Sequence, residues 1–170
     1  MREIRYETDI DTINFAIPTV FLAGCTVRGN QPHLTSWRFE AVEIFKNKGF
    51  DGNLIIPEFV EKTESDKYRY DLPLWEFKGL TNCDIIMFWI PRTKELIGLT
   101  TNCEFGYWMA RERKKVIYGR PDESYRNQYL DIMWKETAKR DNIESLIYNT
   151  LDKTVDAVIS LVSFRRRTKG

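Results

Sequence analysis

An uninterrupted apolar run at residues 85–90, IIMFWI, restricts the fold of this 170-residue chain more than any other stretch. The run lacks the alternation of a strand that has one face in water. It is instead typical of a strand buried on both faces of a parallel sheet. Pro91 ends the run and a polar loop follows as far as Gly98. The sequence therefore predicts a central strand over residues 84–90.

A helix start is predicted shortly after this strand. Thr101 and Glu104 have the spacing of a capping box, in which the Thr caps the helix and the Glu reaches back to the cap. This places Glu104 beside the carboxyl end of the central strand, where open α/β sheets bind ligands. In the first turn of a helix, the positive end of the macrodipole would favour the ionised form of the Glu104 carboxyl.

The rest of the chain alternates between short apolar runs and amphipathic segments. Four further strands are predicted, the last of them weakly, over residues 19–24, 53–56, 115–119 and 146–148. Helices are predicted to begin near Thr35 or Ser36, Asp71, Thr101, Ser124 and Leu151. This alternation predicts an α/β fold, a doubly wound five-stranded parallel sheet with helices on both faces.

Length and patterning indicate one domain over residues 1–170, without a linker, repeat or low-complexity segment. Residues 1–18 are polar and weakly patterned, so they are interpreted as an N-terminal extension with room for a short strand. Residues 58–70 are charged and carry tyrosines, which is typical of a loop. Residues 165–170 are interpreted as a basic, solvated tail.

The charge and cysteine content exclude several classes of partner and compartment. The formal net charge is +1, so no overall field recruits a nucleic-acid polymer or an anionic membrane. Three cysteines, without CxxC spacing, favour free thiols in a reducing cytoplasm. The chain shows no signal peptide and no apolar run long enough to span a bilayer. A cytoplasmic localisation is therefore expected.

Most common catalytic motifs are missing. His33 is the only histidine, and the chain has neither a GxSxG elbow nor a glycine-rich phosphate loop of either common kind. The Cys and His spacing gives no metal site, so neither a metal nor a cofactor is expected. Cys103 could be a reactive thiol near a helix start, although a small packed residue is the simpler interpretation.

Carboxylates remain as the candidates for chemistry. Glu104 could act as a nucleophile at an electrophilic sugar carbon, or it could simply complete the capping box. Glu76, one residue after Trp75 on the preceding helix, could be a second acid or a solvated helix charge. Asp84, just before the central strand, could contact a substrate or pair with backbone. From spacing alone, these alternatives stay open.

Seven short motifs, taken in order along the chain, resemble the nucleoside 2-deoxyribosyltransferase family, and in particular its branch with FWIPR and TTNxEFG signatures. The motifs are FLAG (21–24), SWRFEA (36–41), GFDG (49–52), PE (57–58), WE (75–76), CDIIMFWIPR (83–92) and TTNCEFG (100–106). The resemblance runs from about Thr19 to Pro121 and implies a flavodoxin-like parallel sheet. It is far more specific than any one motif because several spaced motifs occur in the right order.

The resemblance also implies roles for particular residues. In the family, the Glu of an E-[LF]-G motif forms a glycosyl-enzyme ester, and Glu104 occupies that place. Glu76 stands where better-studied members carry an Asp near the departing base. Phe21 stands where those members have an aromatic residue with a hydroxyl. The residues expected to contact the substrate are Phe21, Gly24, Trp37, Arg38, Trp75, Asp84, Arg92, Thr101 and Asn102.

The function implied is cleavage of the N-glycosidic bond of a (deoxy)nucleoside or nucleotide by double displacement, with the sugar passed to another free base. The aromatic rings of Trp37 and Trp75 could stack on a base, and Arg38 and Arg92 could meet a phosphate. Two alternatives are a hydrolase of nucleotides or NAD-like dinucleotides, with water as the acceptor, and a non-catalytic nucleotide-sensing module. The resemblance further implies assembly into a homo-oligomer.

Overall fold

Five parallel strands form one sheet in the order β1-β3-β2-β4-β5. In the computed structural model, which describes residues 1–27, 31, 33–58 and 71–169, the strands are β1 (Arg2–Arg5), β2 (Thr19–Gly24), β3 (Asn53–Ile56), β4 (Ile85–Trp89) and β5 (Val116–Gly119). The main helices are α1 (Trp37–Asn47), α2 (Leu72–Asn82), α3 (Leu99–Arg111), α4 (Gln128–Asp141) and α5 (Leu151–Lys169). Strands and helices alternate as the sequence predicts.

Strand β4 lies inside the sheet, paired with β2 on one side and β5 on the other. All five of its residues are buried, because helices cover both faces of the sheet. The prediction of a central strand from the apolar run is therefore confirmed. Its carboxyl end aligns Trp89 with Gly24 of β2 and with Gly119 of β5.

Alternate residues of the strands feed two hydrophobic cores. One core holds Phe21, Ile86 and Phe88 together with apolar side chains of α2, α3 and α4. The other holds Leu22 and Met87 together with apolar side chains of α1 and α5. The helices thus cover both faces, and the doubly wound, flavodoxin-like α/β fold is confirmed.

The fifth strand is not the one predicted at residues 146–148. Tyr148 makes only an isolated parallel bridge with Gly119, through backbone hydrogen bonds to Tyr118 and Arg120. The nearby Leu146 carbonyl accepts a hydrogen bond from the indole Nε1 of Trp134 at 2.9 Å. The fifth strand is β1, which pairs with β3 at the opposite edge. Ile4 of β1 is completely buried, so the predicted N-terminal extension is partly a sheet strand.

Helix α3 begins earlier than the capping box predicts. Its N-cap is Gly98, in the left-handed conformation (φ 63°), and no side chain caps the helix. A Cβ at Gly98 would lie 2.5 Å from Cys25 Sγ, so the close approach of the β2 end selects glycine here. Thr101 is consequently a buried residue inside the helix, and Glu104 stands in its second turn. The capping-box interpretation is wrong.

Other predicted helix ends are confirmed in part. The Ser36 hydroxyl accepts a hydrogen bond from the Arg38 N–H at the start of α1, as a capping residue should. Asp71 stands at the N-cap of α2 but makes no capping bond with its side chain. The predicted loop lies almost wholly at residues 59–70, outside the described residues. Within the described parts of the chain, no helix combines the length and apolar character needed to cross a membrane.

The basic segment at the end of the chain differs from the predicted tail. Residues 165–169 continue helix α5. The Arg165 guanidinium donates to the backbone carbonyls of Asp84 at 2.8 Å and Lys114 at 2.7 Å. This part of the segment is therefore attached to the amino ends of β4 and β5.

Candidate active site

Two carboxylates, Glu76 and Glu104, lie on neighbouring helices that cover the same face of the sheet. Glu76 is on α2, which leads into β4, and Glu104 is on α3, which follows β4. Both side chains are only partly exposed. Burial raises the pKa of Glu104 to about 7; the charge of Glu76 raises it as well, while that of Arg38 lowers it. Burial also raises the pKa of Glu76 to about 7, against the opposing charge of Arg38.

The direction of the Glu104 shift is opposite to the expectation from the helix macrodipole. The macrodipole acts within the first turn, whereas Glu104 stands in the second. Desolvation in the partly closed site then dominates, and it favours the protonated carboxyl. The charge of Glu76 acts in the same direction. The charge of Glu76 thus reaches the Glu104 carboxyl, a property that spacing along the chain did not show.

An interacting pair of this kind can perform acid and base chemistry at neutral pH. When two carboxyls repel each other, the first proton leaves more readily than the second, so the pair holds a single proton over an intermediate pH range. With both pKa values near 7, that range includes neutral pH. One carboxylate is then available for attack while the other can donate a proton.

Arg38 is the cation that acts on both acids, and it is fully buried with only 2% exposure. Its guanidinium donates to the carbonyls of Leu22 and Gly24 at 3.0 Å each and, more weakly, to that of Cys25 at 3.4 Å. It also donates to Glu58 Oε1 at 2.8 Å. These bonds fix Arg38 to the carboxyl end of β2, so its donors serve the protein rather than a phosphate.

Glu58 is a residue of the site region to which sequence reasoning gave no role. It follows β3 directly after Pro57, and its Oε1 accepts from both Arg38 and the Ser36 hydroxyl, at 2.8 Å each. Its position in the sequence could have indicated a place in the site, because an acid just beyond the carboxyl end of a parallel strand lies at the edge where ligands bind. Its partner, however, is distant in the chain.

Phe21 and Gly24 of β2 are in close contact with helix α2 and with the end of β4, respectively. The ring of fully buried Phe21 lies against Gly79 of α2, where an added Cβ would come within 3.0 Å of the ring. Glycine at that position therefore lets α2, which carries Glu76, approach the sheet. At the strand end, Gly24 has φ 144°, and an added Cβ would lie 2.0 Å from the Trp89 carbonyl oxygen. The ends of β2 and β4 are thus in direct contact.

The two tryptophans expected to contact a base are buried. Trp37 donates its indole N–H to the Cys25 carbonyl at 3.0 Å. Trp75 donates its own to the Thr8 carbonyl at 2.9 Å and packs edge-on against Tyr6. Both belong to the hydrophobic cores, Trp75 on one face of the sheet and Trp37 on the other. Neither presents an exposed ring for stacking.

A polar network joins the carboxyl end of β4 to the first turns of α3. Arg92 is 6% exposed and donates through Nη2 to Asn102 Oδ1 at 2.7 Å. Its backbone N–H donates to the Ser124 hydroxyl at 2.9 Å, and Ser124 accepts in turn from the Asn127 amide at 2.9 Å. Arg92 and Asn102 lie within the sequence motifs, whereas Ser124 and Asn127 lie beyond them, so nothing in the sequence indicated that they join this network.

Asp84 does not join the carboxylate pair. It precedes β4 and therefore stands at the amino end of the sheet, where its Oδ2 accepts from the Thr19 N–H at 2.9 Å. This backbone pairing is one of the two interpretations that the sequence left open. Cys103, expected to be packed, is exposed on α3. His33 pairs with Glu95 at 2.8 Å on the surface.

Over residues 1–27, 31, 33–58 and 71–169, no three His, Cys, Asp or Glu side chains cluster as a metal site would require. Metal independence remains a prediction, to be checked by activity in the presence of a chelator.

Comparison with known proteins gives a family for the chain. Residues 17–123, more than half of the chain, match the family model described as "Nucleoside 2-deoxyribosyltransferase like". The match spans β2 to β5 and includes both Glu76 and Glu104. No curated protein sequence matches the chain. The extent of the match to the family model shows that this chain is a member of the nucleoside 2-deoxyribosyltransferase-like family.

Proposed function

We propose that this protein cleaves the N-glycosidic bond of a (deoxy)nucleoside or nucleotide and transfers the sugar to a second base. The observation that carries the proposal is the placement of two partly buried acids, Glu76 and Glu104, on the helices that precede and follow β4, where burial raises both pKa values to about 7. Glycosyl transfer with retention needs one carboxylate as nucleophile and one carboxylic acid as proton donor. A pair that holds one proton at neutral pH meets both needs. Membership of the family supports the substrate class.

In the first half-reaction, a carboxylate oxygen of Glu104 attacks C1′ of the sugar. A C1′–O bond forms while the C1′–N bond breaks, and the bonding electrons leave with the base. Glu76 donates its proton to the departing base nitrogen, so the base leaves as a neutral species. The product of this step is a glycosyl ester of Glu104, and Glu76 is left ionised.

In the second half-reaction, a nitrogen of the acceptor base attacks C1′ from the opposite side. The C1′–O bond to Glu104 breaks and its electrons return to the carboxylate. The acceptor nitrogen loses its proton to Glu76, which restores the starting protonation state. Two displacements at C1′ retain the configuration of the sugar.

The fixed charges and contacts around the pair fit this sequence of steps. The transition state resembles an oxocarbenium ion, which a nearby carboxylate stabilises. Arg38 is withheld from the substrate by its bonds to the β2 carbonyls, so it acts on the acids through its charge alone. Arg92 orients Asn102 two residues before Glu104 on the same helix.

A chromatographic screen tests the proposal. Deoxynucleosides, deoxynucleotides and NAD are each incubated with and without a free acceptor base, using the wild-type protein and Glu104→Gln. A new nucleoside that appears only with acceptor base and wild-type protein is the expected result. Free base released equally well without an acceptor would identify a hydrolase instead. Binding of a nucleotide without any product would favour the sensing module.

A further inference from the structure

Arg38, whose charge acts on the two acids, forms an ion pair with Glu58, a residue that has no part in the steps above. Arg38 and Glu58 meet at 2.8 Å, with side-chain exposures of only 2% and 12%. Arg38 belongs to α1 and Glu58 follows β3, so the pair joins two elements at the carboxyl edge of the sheet. Burying two charges costs free energy unless each is well paired. A buried ion pair at this edge of the sheet therefore suggests a role beyond stability.

The geometry holds Arg38 in a single orientation. Its Nε and Nη2 donate to carbonyls of β2, and its Nη1 donates to Glu58 Oε1. Ser36 locks the other partner, since its hydroxyl donates to the same Glu58 oxygen and accepts from the Arg38 backbone N–H. Glu58 is therefore the only carboxylate that contacts Arg38 among residues 1–27, 31, 33–58 and 71–169.

We propose that Glu58 is a positioning residue for the proposed reaction: it holds Arg38 as a fixed, partly neutralised cation beside Glu76 and Glu104. This inference rests on the proposed function, which assigns the two acids their roles. Arg38 with its full charge would favour ionisation of both acids and remove the shared proton. Arg38 neutralised in part leaves one acid protonated at neutral pH.

Other charges around the pair do not replace this role. Arg92, from the end of β4, is directed to Asn102. Lys78 of α2 pairs with Asp11 at 2.6 Å. Burial raises the pKa of the Cys25 thiol, with Arg92 and Arg38 opposing, so the thiol is neutral near pH 7. Among residues 1–27, 31, 33–58 and 71–169, Arg38 is the only cation whose charge lowers the pKa of either acid.

The sign of the effect follows from the charges. Glu58→Gln removes the negative charge that offsets Arg38 and weakens the bond that restrains it. Arg38 keeps its bonds to the β2 carbonyls, so the loss of the negative charge strengthens the positive potential at Glu76 and Glu104. A positive potential favours the ionised carboxylate. The pKa values of both acids should fall, and the pH optimum of the reaction should fall with them.

Carbon-13 NMR of side-chain-labelled glutamate measures this without substrate. The two resonances are assigned with Glu76→Gln and Glu104→Gln and titrated in the wild-type protein, Glu58→Gln and Glu58→Asp. Midpoints lower by at least about 0.5 pH unit in Glu58→Gln are expected. Glu58→Asp, whose carboxylate is retained but set back from Arg38, should shift them less. Glu95→Gln, an exposed site on the β4–α3 loop, is the matched control and should leave them unchanged.

The outcomes separate this inference from the proposed function. Midpoints unchanged in Glu58→Gln would overturn the positioning role, whether or not the protein turns over a nucleoside. Lowered midpoints in a protein that transfers no sugar would instead count against the proposed reaction. If Glu58→Gln does not fold, Glu58→Asp decides between the outcomes. Midpoints of both acids below the wild-type values support the role, and midpoints equal to the wild-type values contradict it. A pH–rate profile displaced in the same direction, with KM nearly constant, gives the kinetic counterpart.

Discussion

At the scale of single residues, Glu104 combines a chemical role with a cost to the fold. Its carboxyl is desolvated and lies in the field of Glu76, so its pKa rises from 4.5 to about 7 on folding. A group that is harder to ionise in the folded protein than in the unfolded chain lowers stability once the pH passes its unfolded pKa. Active sites commonly tolerate such a cost, because the perturbed group is the reactive one.

Replacing Glu104 by Gln should abolish turnover while leaving a folded protein. An amide cannot form the glycosyl ester, so we expect kcat to fall by at least about 1,000-fold with substrate binding retained. A slowly reacting 2-fluoro sugar substrate and intact-mass spectrometry give the direct measurement. The adduct should map to a peptide that contains Glu104 in wild-type protein and be absent from the variant. Wild-type turnover by Glu104→Gln would refute the assignment.

The same substitution should change how stability depends on pH. In the wild-type protein, the free energy of unfolding should decrease as the pH rises from about 4.5 to about 7, because the folded state holds the Glu104 proton more tightly. Glu104→Gln lacks this proton, so its stability should fall less over that interval. Urea unfolding at pH 5, 6, 7 and 8 measures the difference. Parallel curves for the two proteins would contradict the raised pKa.

Activity should show a maximum near neutral pH, since the pair works with one proton. Below the range both acids are protonated and the nucleophile is lost; above it both are ionised and the proton donor is lost. Glu76→Gln should remove the alkaline decline, shift the acid decline to lower pH, and slow the poorest leaving bases most. Profiles of kcat/KM against pH for two bases of different basicity test this. A flat wild-type profile between pH 5 and 9 would argue against the pair.

At the scale of elements, the start of α3 places Glu104. Gly98 and Gly49 have nearly the same left-handed backbone, with φ 63° and 67°, but different surroundings. An added Cβ at Gly98 would lie 2.5 Å from Cys25 Sγ, whereas one at Gly49 would meet nothing within 4 Å. An alanine at Gly49 therefore introduces backbone strain alone, whereas an alanine at Gly98 introduces the same strain together with a steric contact.

Gly49→Ala should cost about 1 kcal/mol of stability through strain alone. Gly98→Ala should cost about 1 to 3 kcal/mol more, because Cys25 must move, and it should lower kcat/KM by displacing α3. Urea unfolding and initial rates measure both effects. Equal losses of stability in the two variants would contradict a steric cost from the contact with Cys25.

At the scale of the whole molecule, β1 closes one edge of the sheet. Ile4 is completely buried and belongs to the core that also holds Phe21 and Ile86. Ile4→Ala should therefore destabilise the protein by about 2 to 5 kcal/mol. Arg2→Ala, at an exposed position on the same strand, should change stability by less than about 0.5 kcal/mol. Similar midpoints of unfolding for the two variants would mean that residues 1–18 behave as an extension.

Helices α2 and α3 carry an exposed apolar face that favours assembly of several chains. Leu74, Phe77 and Tyr107 are 59%, 48% and 44% exposed, and the rings of Phe77 and Tyr107 lie 6.0 Å apart on the surface of α2 and α3. We expect this face to be covered in a homo-oligomer, so light scattering should give a mass above the 20.2 kDa of one chain. Phe77→Glu should yield monomers, while Phe39→Glu, on α1, should not. A fully active wild-type monomer at micromolar concentration would contradict this expectation.

Much of the fold was determined by the sequence alone. The apolar run at residues 85–90 predicted a buried interior strand, and the alternation of elements predicted the doubly wound sheet; both are confirmed. Ordered motifs indicated the family, which the family model confirms. These inferences succeed because periodicity and motif order are local properties, readable without knowing which distant segments meet.

Contacts between distant segments decided the rest. β1 pairs with β3 at one edge of the sheet, while residues 146–148 contribute only an isolated bridge at the other edge, next to β5. Helix α3 begins directly after Gly98, where the approach of Cys25 leaves no room for a Cβ. The pKa of Glu104 rises rather than falls because its burial and the charge of Glu76 exist only in the folded chain. Spacing along the chain carries no information on desolvation or on through-space charge, so only the tertiary structure could determine them.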